Sequence, residues 1–558
     1  MDSTLASRSG LAPAPGAGGR ADAGEVLQRA PAVPGLQSRG RVEQEVRLQA
    51  AEQRDSLHFY FKEAPGLQPA DRAEFDEFGS RARFIEPPTG EGYAPLVENP
   101  FRDVSGAPLS TFGLDVDTAS YANIRRMLRA GQRPPADAVR LEELVNYFRH
   151  GYAPPQGDDA FAIHAEITDC PWNESHRLLR VGIKARELPR GERPPANLVF
   201  LVDVSGSMDA ENKLPLVKQS LRLLLDQLSP RDTVGIVTYA GEAGVALAPT
   251  PASEREQIAG VLNRLRPGGG TAGAAGLEQA YALATNRFRA EGVNRVVLCT
   301  DGDFNIGVTS REDLLELITR QAKTGVFLSV LGYGIGNYKD TTAELLADKG
   351  NGNYAYIDSF REARKALADQ LEGTLVTVAR DVKLQLEFNP ARIVSWRLLG
   401  YENRLLADRD FNDDTKDAGD IGAGHEVTAL YELVPVAGTV PGAEALRFAS
   451  NAGRRPAGER PDEVVFIKLR RQPPGGGKSR LMEVAVPDTG RRWAEATPQT
   501  RFAAAVAAYG LLLRDSAHKG ALTWDQALRL AEQTMGNDPD GLRAEFVDLV
   551  RRASELAK

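Results

Sequence analysis

The chain of 558 residues has only two cysteines, Cys170 and Cys299. That excludes a disulfide scaffold and any Cys-built metal cluster. Cys299 ends the apolar run Val296-Val297-Leu298-Cys299, where a buried, inert thiol is expected; a Cys170–Cys299 disulfide is the alternative. The histidines are few and scattered, at His58, His150, His164, His176, His425 and His518, with no His-x-x-x-His pair. Zinc is disfavoured by that spacing. No stretch approaches the ~20 uninterrupted apolar residues that a bilayer-spanning helix needs. Neither sign of charge dominates, with 68 basic against 76 acidic residues and a net charge of −8. Such a chain has no global electrostatic reason to gather on nucleic acid or anionic lipid.

What is present is an ordinary globular composition, 42% apolar and 26% charged, long enough for three to four domains at roughly 150 residues each. Residues 1–40 hold seven Gly, eight Ala and four Pro with almost no large apolar side chains. Such a segment cannot bury enough surface to offset chain entropy, and it lacks the 7–15-residue apolar core of a signal peptide. Residues 1–98 are therefore expected to be a disordered lead and tether. Residues 99–195 read as helices followed by strands. Tyr121, Ile124, Met127 and Leu128 share one helical face, and period-2 alternation follows at Phe161–Ile167 and Leu179–Ala185. The stretch Asp115–Ser120 reads as structural, with Asp117 or Thr118 as a helix cap.

From 196 to 375 the pattern changes. Short, continuously apolar runs (Leu198–Val202, Val234–Val237, Val296–Cys299, Val326–Leu331) alternate with helical stretches. Strands of that kind are buried on both faces, so the segment is an α/β fold with a doubly wound, mainly parallel sheet. Residues 376–558 return to alternation, read as flanking β-sandwich strands, and end in helices. There Phe502, Ala505, Tyr509 and Leu512 form one stripe, and Thr523 with Gln526 makes a capping box. The strands at 161–185 are too few to stand alone, so they are expected to pair with those at 382–486. Gly475-Gly476-Gly477-Lys478-Ser479 looks like the end of a phosphate loop. Gln472 stands where that loop needs a glycine, which excludes the reading.

Chemistry concentrates at three strand ends. Asp203-Val204-Ser205-Gly206-Ser207 follows the first parallel strand, Gly268-Gly269-Gly270-Thr271 opens a helix, and Thr300-Asp301-Gly302 follows a later strand. In open α/β sheets such strand ends are where ligands bind. Two carboxylates and three hydroxyls, without imidazole or thiolate, suit Mg²⁺ or Mn²⁺. For Ser205 or Ser207 to act as a nucleophile a histidine would be needed nearby, and no such arrangement is evident, so no catalytic residue is assigned.

These motifs, in this order and on these element ends, resemble the metal-ion-dependent adhesion site of von Willebrand factor type A domains. Asp203, Ser205, Ser207, Thr271 and Asp301 match its five positions. Asn99-Pro100-Phe101, Ser110–Tyr121 and Arg140–Phe148 further resemble the amino-terminal region of bacterial YfbK-type proteins. The resemblance implies a Mg²⁺- or Mn²⁺-dependent protein-binding module of the cell envelope or periplasm, whose metal site is completed by an Asp or Glu of the partner. Together with the tether, it also implies an open reading frame that begins upstream, or a signal segment trimmed from the chain. Two alternatives remain open: a metal-dependent hydrolase using the same site and, as the resemblance to type A domain proteins also implies, a cytoplasmic adaptor of a AAA+ ATPase.

Overall fold

In the computed structural model the described residues are 93, 95–114, 117–189, 191–270, 273–302, 311–334, 340–416, 418–436 and 463–558. The expected lead and tether lie outside them except for a few residues before Asn99, and so does Thr271. The described chain opens with β1 (Arg102–Asp103), β2 (Leu109–Gly113) and helix α1 (Ala119–Arg129). Helix α1 buries Tyr121, Ile124, Met127 and Leu128, as their spacing predicts. Its cap is not the one expected: neither Asp117 nor Thr118 caps it through a side chain. Instead Ser120 N–H donates to Glu143 Oε2 at 2.8 Å, from helix α2 (Leu141–Asn146). That frees Asp117 to accept the Tyr354 N–H at 3.2 Å and to pair with Arg404 at 3.6 Å. Strands β3 (Phe161–Cys170) and β4 (Asn173–Ala185) then form an antiparallel pair.

The central unit carries β5 (Ala196–Asp203), α3 (Leu214–Gln227), β6 (Thr233–Tyr239), β7 (Ala243–Pro251), α4 (Arg255–Arg264), α5 (Gly273–Asn286), β8 (Val293–Thr300), α6 (Arg311–Lys323), β9 (Phe327–Tyr333), α7 (Asp340–Lys349) and β10 (Tyr354–Ile357). They build one six-stranded sheet in the order β10-β9-β8-β5-β6-β7, parallel except for β7. Successive β5 residues feed two different cores. Leu198, Phe200 and Val202 pack with α3, while Val199 and Leu201 pack with Leu277 and Tyr281 of α5. Burial on both faces is why these strands read as unbroken apolar runs. The edge strand β7 was not legible, because it faces solvent; Val245 is 45% exposed.

After α8 (Phe360–Arg364) and α9 (Leu371–Leu375) come β11 (Thr377–Phe388), β12 (Ile393–Leu399), β13 (Gly419–Gly422), β14 (Glu426–Pro435), β15 (Glu463–Gln472) and β16 (Arg480–Pro487). One sheet runs β1-β12-β14-β4-β3, and the other runs β13-β11-β15-β16 with β2 also on β11. Ile183, Val181 and Leu179 of β4 lie opposite Val427, Ala429 and Tyr431 of β14. Strands from both sides of the α/β unit thus close a single sandwich, over a core including Val181, Ile183, Leu384 and Ile467. Residues 473–479, which include the glycines read against a phosphate loop, connect the antiparallel strands β15 and β16.

The terminal helices are α10 (Pro498–Leu513), α11 (Trp524–Gln533) and α12 (Leu542–Leu556). Helix α10 differs from the single stripe expected: all of residues 502–513 are buried, so it is a central helix surrounded by packing. Its many alanines allow that close approach on every side. The Thr523–Gln526 capping box forms as predicted. Cys170 and Cys299 are both free and buried.

Candidate metal centre

In the central sheet β5 has β6 on one side and β8 on the other. The strand order therefore reverses at β5, and its carboxyl end together with that of β8 forms the crevice where open sheets bind ligands. Asp203 is the last residue of β5 and Asp301 follows β8, so the topology brings the two acids to one sheet edge.

Asp203 is fully buried. Its Oδ1 accepts the Ser205 N–H at 2.8 Å, and its Oδ2 accepts the Tyr239 hydroxyl at 3.0 Å. The first bond folds the loop back on the strand end, which sets Ser205 Oγ and Ser207 Oγ 3.0 Å apart. Ser205 is buried and Ser207 is exposed, so the hydroxyl pair runs from the interior to solvent. Burial raises the Asp203 carboxyl above its usual range; the Ser205 bonds oppose that rise and the Asp301 charge adds to it. Burial and the Asp203 charge likewise push the Tyr239 phenol well up, so it stays a hydrogen-bond donor.

The glycine loop is pinned against this turn. Gly268 N–H donates to Val204 O at 2.8 Å, and Gly206 N–H donates to Gly269 O at 3.2 Å. The approach to Thr271 is thus fixed beside the serines as far as Gly269, while Thr271 itself is outside the described residues. Asp301 has a side chain 1% exposed, and its Oδ2 accepts from Lys213 Nζ at 2.9 Å.

The donor set fits a hard divalent cation. Two buried carboxylates stand at one sheet edge, the Ser205 and Ser207 hydroxyls lie beside Asp203, and no soft ligand enters the set. Among the described residues no group of three or more His, Cys, Asp or Glu gathers to hold a metal, so a cation here would depend on hydroxyl oxygens. Asp203, Ser205, Ser207 and Asp301 are the described candidates to hold it, with Thr271 the fifth from the sequence. Tyr239 and Lys213 were missed by sequence reasoning. Tyr239 could have been found as the residue ending the strand next to β5; a lysine at a helix start carries no comparable signal.

The comparisons with known proteins agree with this fold and place the chain. The model of the von Willebrand factor type A domain matches residues 198–303, and a second, described as von Willebrand factor, matches 87–180. The central unit is a von Willebrand factor type A domain, a class of protein-interaction and adhesion modules. A further model, "Uncharacterized protein YfbK, C-terminal", matches residues 373–556. The chain is 40% identical to the protein YfbK of Escherichia coli K12 over 513 residues, covering 91% of this chain and 87% of that one. It belongs to the YfbK family of type A domain proteins. More distantly, it is 25% identical over 306 residues to the magnesium-chelatase 67 kDa subunit of Heliobacterium mobile, spanning 50% of this chain and 44% of that one. Among solved structures, von Willebrand factor type A from Catenulispora acidiphila aligns over 72% of this chain and 91% of its own, at 17% identity and a TM-score of 0.39.

Proposed function

We propose that this protein is a non-enzymatic, divalent-cation-dependent binding module of the bacterial cell envelope, which captures a protein partner through an Asp or Glu side chain. The observation that carries the reading is the placement of Asp203 and Asp301 at the carboxyl ends of the adjacent strands β5 and β8, at the switch point, with the Ser205 and Ser207 hydroxyls leading out to solvent. A bound Mg²⁺ or Mn²⁺ would supply a hard electrophilic position suited to a partner carboxylate. The chain's own residues hold and orient: Ser205 N–H and Tyr239 fix both oxygens of Asp203, and the glycine loop fixes the serines. With both oxygens already accepting bonds, Asp203 is disposed to hold a ligand in place and is poorly placed to shuttle protons as a general base. The envelope location rests on the family resemblance.

The test is titration calorimetry of MgCl₂ into the whole chain and into Asp203→Asn, followed by partner capture from an envelope fraction with Mg²⁺ or EDTA. Metal uptake by wild type alone, with EDTA-sensitive capture, is the expected result. Capture of the same partner in EDTA, or by Asp203→Asn, would overturn the reading, and so would phosphatase or protease turnover lost in that variant.

A further inference from the structure

Lys213 is built into the candidate metal centre in a way the ligand set does not require. Its ammonium donates to Asp301 Oδ2 at 2.9 Å, with 12% of the lysine side chain and 1% of the aspartate side chain exposed. The lysine immediately precedes α3, and its backbone is held on both sides. Its N–H donates to Ala210 O at 2.9 Å, and its carbonyl accepts the Val217 N–H at 2.9 Å. Its aliphatic stem crosses Gly334, just beyond β9, which has φ +81°. A Cβ at Gly334 would overlap Lys213 Cγ, Cδ and Cε, so the glycine leaves the channel in which the stem lies. The Gly334 carbonyl is in turn bound by the Tyr356 hydroxyl. This lysine is therefore seated in a fitted groove, unlike a mobile surface cation.

We infer that Lys213 is the resident cation of the metal-free site, and that a divalent ion and the lysine ammonium compete for Asp301. The inference rests on the metal-binding reading above and adds a regulation to it. Asp203 ends β5 and Asp301 follows the neighbouring strand β8, so two buried negative charges share one sheet edge. A protein that meets low metal needs some positive charge there, and the ammonium supplies it. A dication held by Asp301 would set a like charge across that carboxylate from the ammonium and would favour the lysine's departure. The site then has two states, one closed by lysine and one loaded with metal. The lysine lowers apparent metal affinity by the free energy needed to displace it.

The experiment titrates Mn²⁺ into the whole chain, reading free Mn²⁺ by its electron paramagnetic resonance signal, for wild type, Lys213→Gln and Lys213→Arg. Lys213→Gln keeps a donor to Asp301 without the charge and should bind Mn²⁺ about tenfold more tightly or better, while Lys213→Arg should not gain affinity. A second measurement needs no variant: acetylation of Lys213 by an N-hydroxysuccinimide ester, read by peptide mass spectrometry, should rise when Mg²⁺ saturates the wild-type chain. Equal Mn²⁺ affinity in wild type and Lys213→Gln, or metal-independent acetylation, would overturn the lysine's role and leave the metal site standing. No Mn²⁺ uptake by any form would overturn both.

Discussion

The Arg125 guanidinium of α1 donates to Glu362 of α8 at 2.8 Å, joining the amino-terminal region to the type A domain inside the protein. The same guanidinium reaches Asp358 through Nε at 2.8 Å and Glu545 of α12 at 3.1 Å, and only 1% of its side chain is exposed. Against the penalty of burial, Lys365 and Arg125 hold the Glu362 carboxyl below its ordinary range. Lys365 itself lies over the Tyr147 ring, 3.1 Å from its centroid. Removing the arginine would strand buried carboxylates from two regions at once. Arg125→Met should lose about 3–5 kcal/mol of stability in urea unfolding, as expected when one partner of a buried ion pair is deleted. Arg125→Met with Glu362→Gln should recover part of that loss. A single variant as stable as wild type would show that the cluster contributes nothing net.

His150 gives the protein an acid limit. It is 4% exposed, its Nε2–H donates to Val145 O at 3.1 Å, and burial pushes its pKa down to about 3. The folded chain thus keeps this ring neutral where the unfolded chain takes up a proton. The contribution is therefore intact above pH 6.5 and is lost as pH falls from 6.5 toward 3, by about 1.4 kcal/mol per pH unit at full slope. Unfolding free energies measured at pH 7, 6, 5 and 4 should fall more steeply for wild type than for His150→Gln. Parallel curves would remove His150 from the account.

Much of the type A domain was legible because its chemistry is local. Asp203, Ser205 and Ser207 share one turn, Asp301 directly follows its own strand, and burial on both faces makes β5 and β8 unbroken apolar runs. The Arg125 cluster was not legible, since its partners Asp358, Glu362 and Glu545 lie 233, 237 and 420 residues away. Lys213 was hidden for a similar reason, as its groove is made by Gly334, just beyond the distant strand β9. Helix α10 misled in the other direction. A stripe read from periodicity presumes a wet face, and this helix is covered on all of them by α2, α11 and their neighbours.

The two acids of the candidate centre should respond differently to neutralisation. Asp203 is buried beside Asp301 and its bonds come from neutral donors, Ser205 N–H and the Tyr239 hydroxyl. Asp203→Asn keeps an acceptor there while removing a repelled charge, so the metal-free protein should hold its stability to within about 1 kcal/mol. Asp301→Asn instead strands the Lys213 ammonium, which is 12% exposed, and should cost about 1–3 kcal/mol more than Asp203→Asn. Thermal unfolding in EDTA checks this ranking, and added Mg²⁺ should stabilise neither variant. The reverse order would mean that Lys213 is not paired as described.

The interleaved architecture predicts which pieces stand alone. The two cores of the type A domain draw on residues 196–375 apart from Ala119 and Ala122 of α1, so its folding energy is almost entirely its own. A fragment spanning 191–376 should unfold cooperatively on heating. Its new surface exposes Asp358 and Glu362, which lose Arg125 but gain water, and hydration offsets most of that loss for carboxylates. A fragment spanning 95–375 looks more complete, yet it should fail. Its β3–β4 pair loses β14, and with it the sheet neighbours of Leu179, Val181 and Ile183. Each of those side chains, once uncovered, forfeits about 1.5–3 kcal/mol, and a lone hairpin is marginal in water. Circular dichroism melts and gel filtration of the two fragments decide the matter. A folded, monomeric 95–375 beside an unfolded 191–376 would mean that the sandwich is the template on which the type A domain folds.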